Sequence, residues 1–429
     1  MGRNHPMILF VTRILPKADG HGGSQRAMHL LRCLLQIGPV DLLFIHRSDD
    51  ADAAGDALAQ ARPLVGACVS AEIPEWESLP GRWPGLSWHA GLIGEVLLRY
   101  CAEAPRFSSR TLRNVADRLP RRHYDVIFAG RLPSARLVDG MLRRRLLHTN
   151  RKVVDLDDIM SRFRERQLAA AGRTQGRLWS AAQRIDIRRI RRAEQEVLRG
   201  WQAVSVCTSD DVALLRERVA SARACRVPNV VARPWLEPER ASGTRLLFVG
   251  SLAFSANLSG LRAFLQEAWP AIQAAIPDVT LTVVGMLPGP EVADEMRSAG
   301  ADLHANVPSV EPFYRDCDIV IAPILFGGGT RIKILEAMAY GRPVVATTIG
   351  AEGLEVEPDR HMLIADETPA FAEAVIRLSR DPALKVALAR SARAHQERHF
   401  GEAAMGASVT AMVTGSSGGA SRPCPPAAP

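Results

Sequence analysis

Three consecutive glycines, a threonine, two cations and a carboxylate stand close together in Gly327-Gly328-Gly329-Thr330-Arg331-Ile332-Lys333-Ile334-Leu335-Glu336. An apolar run ending near Phe326 leads into the glycines, and the spacing predicts a helix that opens near Thr330 and is capped by Gly341, with Pro343 starting the next strand. Glycines allow a ligand to approach the backbone closely, and the N–H groups of a helix start carry about half a positive charge. Arg331 and Lys333 add full charges at the same end, so the stretch suits a phosphate. Glu336 lies one turn beyond Lys333, about 4.5 Å further along the axis, where a carboxylate would meet the ribose of a nucleoside diphosphate. The plainer alternative is a tight glycine turn with a surface ion pair between Lys333 and Glu336.

Two places in the first half have related chemistry. Gly20-His21-Gly22-Gly23-Ser24-Gln25-Arg26 follows a strand and precedes a helical pattern, so Gly22, Gly23 and Arg26 are candidates for the acceptor side of a site, beyond a strand C-terminus. Asp155-Leu156-Asp157-Asp158 ends another strand, and Asp157 is a candidate for orienting or deprotonating an acceptor hydroxyl. Capping of the next helix by Asp158 or Ser161 is the alternative. No Asp-x-Asp pair stands at a convincing strand end in the second half, and an essential metal is not expected.

At Ala322–Thr347 the sequence resembles the family-four glycosyltransferases, in particular an exopolysaccharide-type group with a G-G-G-T-R-x-K-x-x-E motif. The resemblance is clearest from Arg245 to Arg398. It implies a GT-B fold, two Rossmann-like doubly wound domains facing a cleft, and usually retention of anomeric configuration. It places the ribose-holding carboxylate at Glu336, the basic helix residue at Lys333, and donor contacts at Gly328, Gly329, Thr330, Arg331 and Ser251. Lys333, Arg331 and Asp157 would carry catalysis. Two departures stand out: Gly328 replaces the first Glu of the family's E-x7-E motif, and Ser251 and Asn257 stand where many members have Arg and Lys. Val307-Pro308-Ser309-Val310 resembles the loop that meets the nucleotide base.

The elements that must position these residues are short aliphatic runs alternating with longer amphipathic ones, the pattern of parallel sheets with crossover helices. Strands are expected at 7–11, 40–45, 125–129, 152–156 and 203–207, and in a second series at 245–250, 279–285, 318–322 and 343–346. We divide the chain into an acceptor domain at 1–228, a linker at 229–243, a donor domain at 244–400, a C-terminal helix end at 401–414 and a disordered tail at 415–429. By the resemblance, helix after Pro382 crosses back to the first domain. Residues 183–192 read as part of an amphipathic helix with a basic face.

The 429 residues, 47% hydrophobic and 23% charged, suit a soluble α/β protein and exclude a mainly disordered chain. Seven scattered cysteines without metal spacing, and no apolar run of about 20 residues, lead us to expect a cytoplasmic protein with neither signal peptide nor anchor, in contact with the inner membrane face at most. Residues 1–240 carry a charge of +13 and the rest −5, in a chain whose only lysines are Lys17, Lys152, Lys333 and Lys385. That asymmetry fits an anionic membrane surface or a phosphorylated acceptor, or a chain that simply favours arginine. The expected reaction is transfer of a hexosyl group from a nucleoside diphosphate sugar to a saccharide or lipid-linked acceptor, with no cofactor and no nucleic acid partner. A nucleotide-sugar-binding partner subunit with little catalysis is the alternative. A dehydrogenase is disfavoured because 8–23 lacks G-x-G-x-x-G.

Overall fold

The computed structural model describes residues 5–17, 22–46, 58–73, 101, 103–170, 176–237, 244–286 and 289–415. Gly20 and His21 of the first glycine stretch, residues 238–243 of the expected linker, and 416–429 of the expected tail lie outside the described residues. The chain forms two compact units, one from 1–161, 173–228 and 403–429, the other from 162–172 and 229–402.

The first unit holds a parallel sheet of β1 (Ile8–Thr12), β2 (Val40–His46), β3 (Ala67–Glu72), β4 (His123–Gly130), β5 (His148–Asp157), β6 (Ala203–Val206) and β7 (Ala224–Arg226), in the order β3-β2-β1-β4-β5-β6-β7. Strand β1 is wholly buried, with Phe10 edge-on to Phe128 of β4 at 5.8 Å. That is what a near-continuous apolar run does when helices cover both faces of a parallel sheet. Helix α1 (Gly22–Ile37) follows β1, α2 (Arg131–Arg143) follows β4, and α3 (Met160–Ala170) follows β5. Helix α4 (Arg177–Gly200) is the amphipathic element expected around 183–192: Ile187, Ile190, Val197 and Leu198 are buried, while Arg184, Arg188 and Arg192 are exposed.

In the second unit β8 (Thr244–Val249), β9 (Val279–Gly285), β10 (Asp302–Ala305), β11 (Ile319–Ala322), β12 (Val344–Ala346) and β13 (Leu363–Ile364) form a parallel sheet in the order β10-β9-β8-β11-β12-β13. Helix α5 (Ser255–Ala263) follows β8, and α6 (Ile332–Tyr340) follows β11. Residues 229–237 are not a solvated connector: Val230 and Val231 are buried, and the Gln396 amide donates to the Val231 carbonyl at 2.7 Å. Helix α7 (Pro382–Phe400) packs in this unit, whereas α8 (Glu402–Thr414) belongs to the first, where Arg151 Nε donates to the Met412 carbonyl at 2.8 Å. Among the described residues, no helix is long and apolar enough to cross a membrane.

One close approach fixes α5. A Cβ on Gly260 would drive into the Pro323 carbonyl oxygen after β11. Alanine normally stabilises a helix interior by about 1 kcal/mol over glycine, but this clash is against backbone, which cannot rotate away. Gly260→Ala should therefore destabilise the protein by about 1–3 kcal/mol, in the range of overpacked cores. A urea midpoint at or above that of the unaltered protein would show that the loop at Pro323 yields.

Candidate functional site

In the second unit the glycine loop runs from β11 to α6 with Gly327 at φ 153° and Gly329 at φ 66°, backbone that glycine adopts without strain. Helix α6 opens at Ile332 and ends on Gly341 in the left-handed region, at φ 74°. Such a loop has no side chains to hold it, and two guanidiniums do so. Arg331 donates to the carbonyl of Gly328, to that of Gly329 at 2.8 Å and to that of Ile349 at 3.2 Å. Arg166, on the part of α3 that belongs to this unit, donates to the Gly327 carbonyl at 2.8 Å. Arg166 is itself paired with Glu352, which Arg162 also reaches at 2.8 Å. Burial alone would raise the Glu352 carboxyl, but the two arginines hold it below the ordinary range. Arg331 thus shapes the loop as well as adding charge to it.

Lys333 is the cation directed at the β8 end. Its ammonium donates to Asn257 Oδ1 at 2.7 Å and lies 4.2 Å from the centre of the Phe248 ring. The Asn257 amide is fixed in turn by donating to the Ser251 carbonyl at 2.9 Å. Gly250 makes room, since a Cβ there would come within 2.7 Å of Lys333 Nζ. Burial and the neighbouring Arg331 charge push the Lys333 ammonium down to about 7, with Glu336 opposing. Ser251 places its hydroxyl 3.5 Å from the Met286 carbonyl oxygen, a marginal contact. Thr330 accepts from the Asn229 amide at 2.6 Å.

Glu336 is buried one turn on, but it does not pair with Lys333. Its Oε1 accepts from Arg233 Nη2 at 3.1 Å, and its Oε2 lies 3.5 Å from the Tyr314 hydroxyl, which also donates to the Lys333 carbonyl at 3.0 Å. Burial and the Glu336 carboxylate raise the Tyr314 hydroxyl well above its usual value, so it remains a donor. The surface ion pair weighed as an alternative is absent among the described residues. Arg166, Arg233 and Tyr314 went unforeseen, because each reaches the site through tertiary packing from a segment with no motif of its own. The 307–310 loop follows β10, with Pro308 and Ser309 exposed and Val310 packed against the core.

The first unit gathers a different set. Gly22 and Gly23 lie in the opening turn of α1 and are not among the left-handed residues. Arg26 is 3% exposed and grips Asp155 with both arms, at 2.9 and 2.7 Å, while donating to the Val227 carbonyl at 3.0 Å. Its role is to tie α1 to the end of β5, not to present a free charge. Asp157 sits 3.4 Å from Arg26 Nε and is also paired with Arg131, so it is engaged from two sides. A bulge between Asp155 and Asp157 turns the end of β5 against β6. Arg131 and Asp157 take φ of 72° and 64°, and such backbone strain concentrates at functional sites. Asp158 pairs with Arg131 Nη1 at 2.8 Å, and Ser161 donates its N–H and its hydroxyl to Glu194 at 3.0 and 2.6 Å, so neither residue caps the next helix as the alternative would have it.

Residues 243–381 match the family model of the glycosyl transferases group 1. Over 145 residues, 32% of this chain and 37% of the relative, the sequence is 32% identical to an uncharacterized 44.6 kDa protein in the cps region of Klebsiella pneumoniae. Over 210 residues, 44% of this chain and 54% of the relative, it is 26% identical to a phosphatidyl-myo-inositol mannosyltransferase of Mycobacterium leprae (strain TN). The chain thus spans about half the length of these relatives, or less. The solved structure of Anabaena HepE in complex with UDP and glucose superposes with a TM-score of 0.64 at 14% identity, covering 96% of this chain and all of that one. At that identity the likeness is one of fold, and the fold is GT-B. The group 1 match contains the glycine loop, Lys333 and Glu336.

Lys333 generates a prediction for the ligand-free protein. Its folded-state value near 7 lies below the ordinary 10.5, so folding disfavours the ammonium. That penalty is fully present below pH 7 and fades as pH rises toward 10.5. Lys333→Met should raise stability by on the order of 1 kcal/mol at acidic pH, a buried-ion penalty discounted for partial exposure, with the gain vanishing in alkali. Urea denaturation of both proteins across that range decides it. A less stable variant at acidic pH would mean that Asn257 and Phe248 already compensate the charge.

Proposed function

We propose that the protein transfers a hexosyl group from a nucleoside diphosphate sugar to an acceptor hydroxyl. The observation that carries this reading is Lys333: an ammonium at a helix N-terminus, beside a three-glycine loop, with its proton held loosely until an anion arrives. The group 1 match over the same residues supports it, as does the mannosyltransferase of M. leprae among the relatives. In the reaction the bond from the anomeric carbon to the diphosphate oxygen breaks, a bond to the acceptor oxygen forms, and the acceptor proton passes to the departing diphosphate. Lys333, the α6 N–H groups and the loop N–H groups would meet the charge that grows on the leaving group. Glu336, already oriented by Arg233, would accept from the ribose hydroxyls. Retention and independence from metal belong to this reading, and loss of transfer in a chelator would count against the second. A saccharide or lipid-linked acceptor fits the resemblance to exopolysaccharide-type enzymes.

Two measurements test the donor side. A diphosphate raises the Lys333 value when it binds, so at pH 8, above the free-state value of about 7, binding should take up close to one proton. Calorimetry of UDP, GDP and ADP in buffers of different ionisation enthalpy reads this directly, and proton-neutral binding would remove Lys333 from the phosphate. In turnover at saturating donor, Lys333→Ala should lose about a hundredfold, roughly 3 kcal/mol, with its fold intact, and Lys333→Arg should recover only part. Near-normal turnover in the folded alanine variant would sink the assignment.

The arginines along α4 suit a peripheral contact with an anionic membrane. Binding to anionic vesicles should exceed binding to neutral ones and fade with salt. Equal partitioning at low salt would leave the stripe as a solvated face.

A further inference from the structure

Two cationic regions flank the glycine loop of the second unit, and they turn to opposite sides of it. Lys333 points toward β8, to Asn257 and the Phe248 ring, and Glu336 meets Tyr314 on the helix 311–316, which packs against β8. Arg331 points the other way, to the Ile349 carbonyl beyond β12, where Arg162 and Arg166 gather on Glu352. Strand β11, from which the loop springs, stands between β8 and β12. We propose that the hexosyl group of the donor carries a carboxylate, as in a nucleoside diphosphate hexuronic acid, and that Arg162 and Arg166 select it. The proposal rests on the transferase reading, which puts the diphosphate at Lys333 and the ribose at Glu336.

With diphosphate and ribose on the β8 side, the sugar at the other end of the diphosphate extends across the loop toward β12. The charge it meets there is unbalanced. Arg162, Arg166 and Arg331 all bear on the single carboxylate of Glu352, which leaves the four residues with a surplus of positive charge. A sugar carboxylate would be drawn to that surplus, and a neutral ring would not.

The hydrogen-bonding groups favour the same ligand. Glu352 Oε1 accepts from Arg162 at 2.8 Å and from Arg166 at 2.9 Å, and its Oε2 accepts from Arg166. The carbonyls of Gly327, Gly328 and Gly329 accept from Arg166 and Arg331. These acceptors are occupied, so the region offers a sugar donors and charge, to which a carboxylate bonds about twice as strongly as a hydroxyl does. Arg162 and Arg166 stand four residues apart, on one face of α3. Their side chains are 22% and 29% exposed, open to a ligand as well as to Glu352. A planar guanidinium can take a carboxylate through two parallel N–H bonds, which adds geometry to the attraction.

The test is calorimetric binding by the full chain of three donor pairs, each a uronate beside its neutral hexose. The pairs are UDP-glucuronate with UDP-glucose, UDP-galacturonate with UDP-galactose, and GDP-mannuronate with GDP-mannose, and UDP and GDP are measured alone. In the pair that binds most tightly, the uronate should bind about tenfold or more better than the hexose, the gain from bonds to charged groups. Arg162→Gln, which spares the Arg166 bond to the glycine loop, should remove most of that preference, and Arg162→Lys should keep part of it. A hexose bound as tightly as its uronate in that pair would overturn the proposal, and this comparison needs no variant. Full preference in folded Arg162→Gln would overturn it as well. So would an equal loss of affinity for UDP or GDP alone, which would show that the arginine serves the diphosphate. Failure of the unaltered protein to bind any of these nucleotides counts instead against the transferase reading.

Discussion

A loop of three glycines can come close to a ligand only if something else holds it still, and here that something is a pair of guanidiniums bound to its carbonyls. Arg331 takes those of Gly328 and Gly329, and Arg166 takes that of Gly327. With the carbonyl oxygens turned toward arginines, the loop is fixed, and its stillness defines where α6 starts. The position of Lys333 in the first turn, the depth at which Glu336 is buried, and the space left by Gly250 follow from that start. Glu352 supports the arrangement by pairing with both Arg166 and Arg162.

How much of this the sequence discloses depends on how local the cause is. The nine strands expected from apolar runs all exist, within a few residues. The four that were not expected are β3, β7, β10 and β13, and these are the outer strands of the two sheets. An outer strand is held by main-chain pairing on one side and need not be continuously apolar: Asp302–Ala305 has no buried residue, and Leu363–Ile364 is only two residues long. The glycine loop, the Gly341 cap and Lys333 were legible because their conformations follow from adjacent residues. The partners of Glu336 were not, because Arg233 and Tyr314 come from separate segments. Lys333 and Glu336 share a helix face, but packing sends the two side chains to different partners, Asn257 and Arg233.

The same packing explains part of the arginine-rich composition. Arg26 and Arg131 neutralise buried carboxylates at the end of β5, Arg342 donates to the carbonyls of Tyr314 and Arg315, and Arg393 reaches those of Arg233 and Ala339. A planar fork with five donors suits carbonyls that secondary structure leaves over, and an ammonium does not. Net charge therefore overstates what the surface offers to a partner. The exposed arginines that remain include Arg184, Arg188 and Arg192 on α4, and others at 106–122 and 143–145.

The chain does not complete its two units in the order in which it is written. Residues 162–172 belong to the second unit although most of that unit lies beyond 228, and residues 403–414 return to the first. Helix α8 supplies Met405, Val409, Met412 and Val413 as buried residues, so the first unit has an uncovered apolar patch until those residues exist. During synthesis from the N-terminus, the half made first is the half finished last, and its patch stays open while the whole second sheet is being made. A ribosome stalled late in the second unit, short of 402, would hold out the first sheet without α8, a natural target for chaperones.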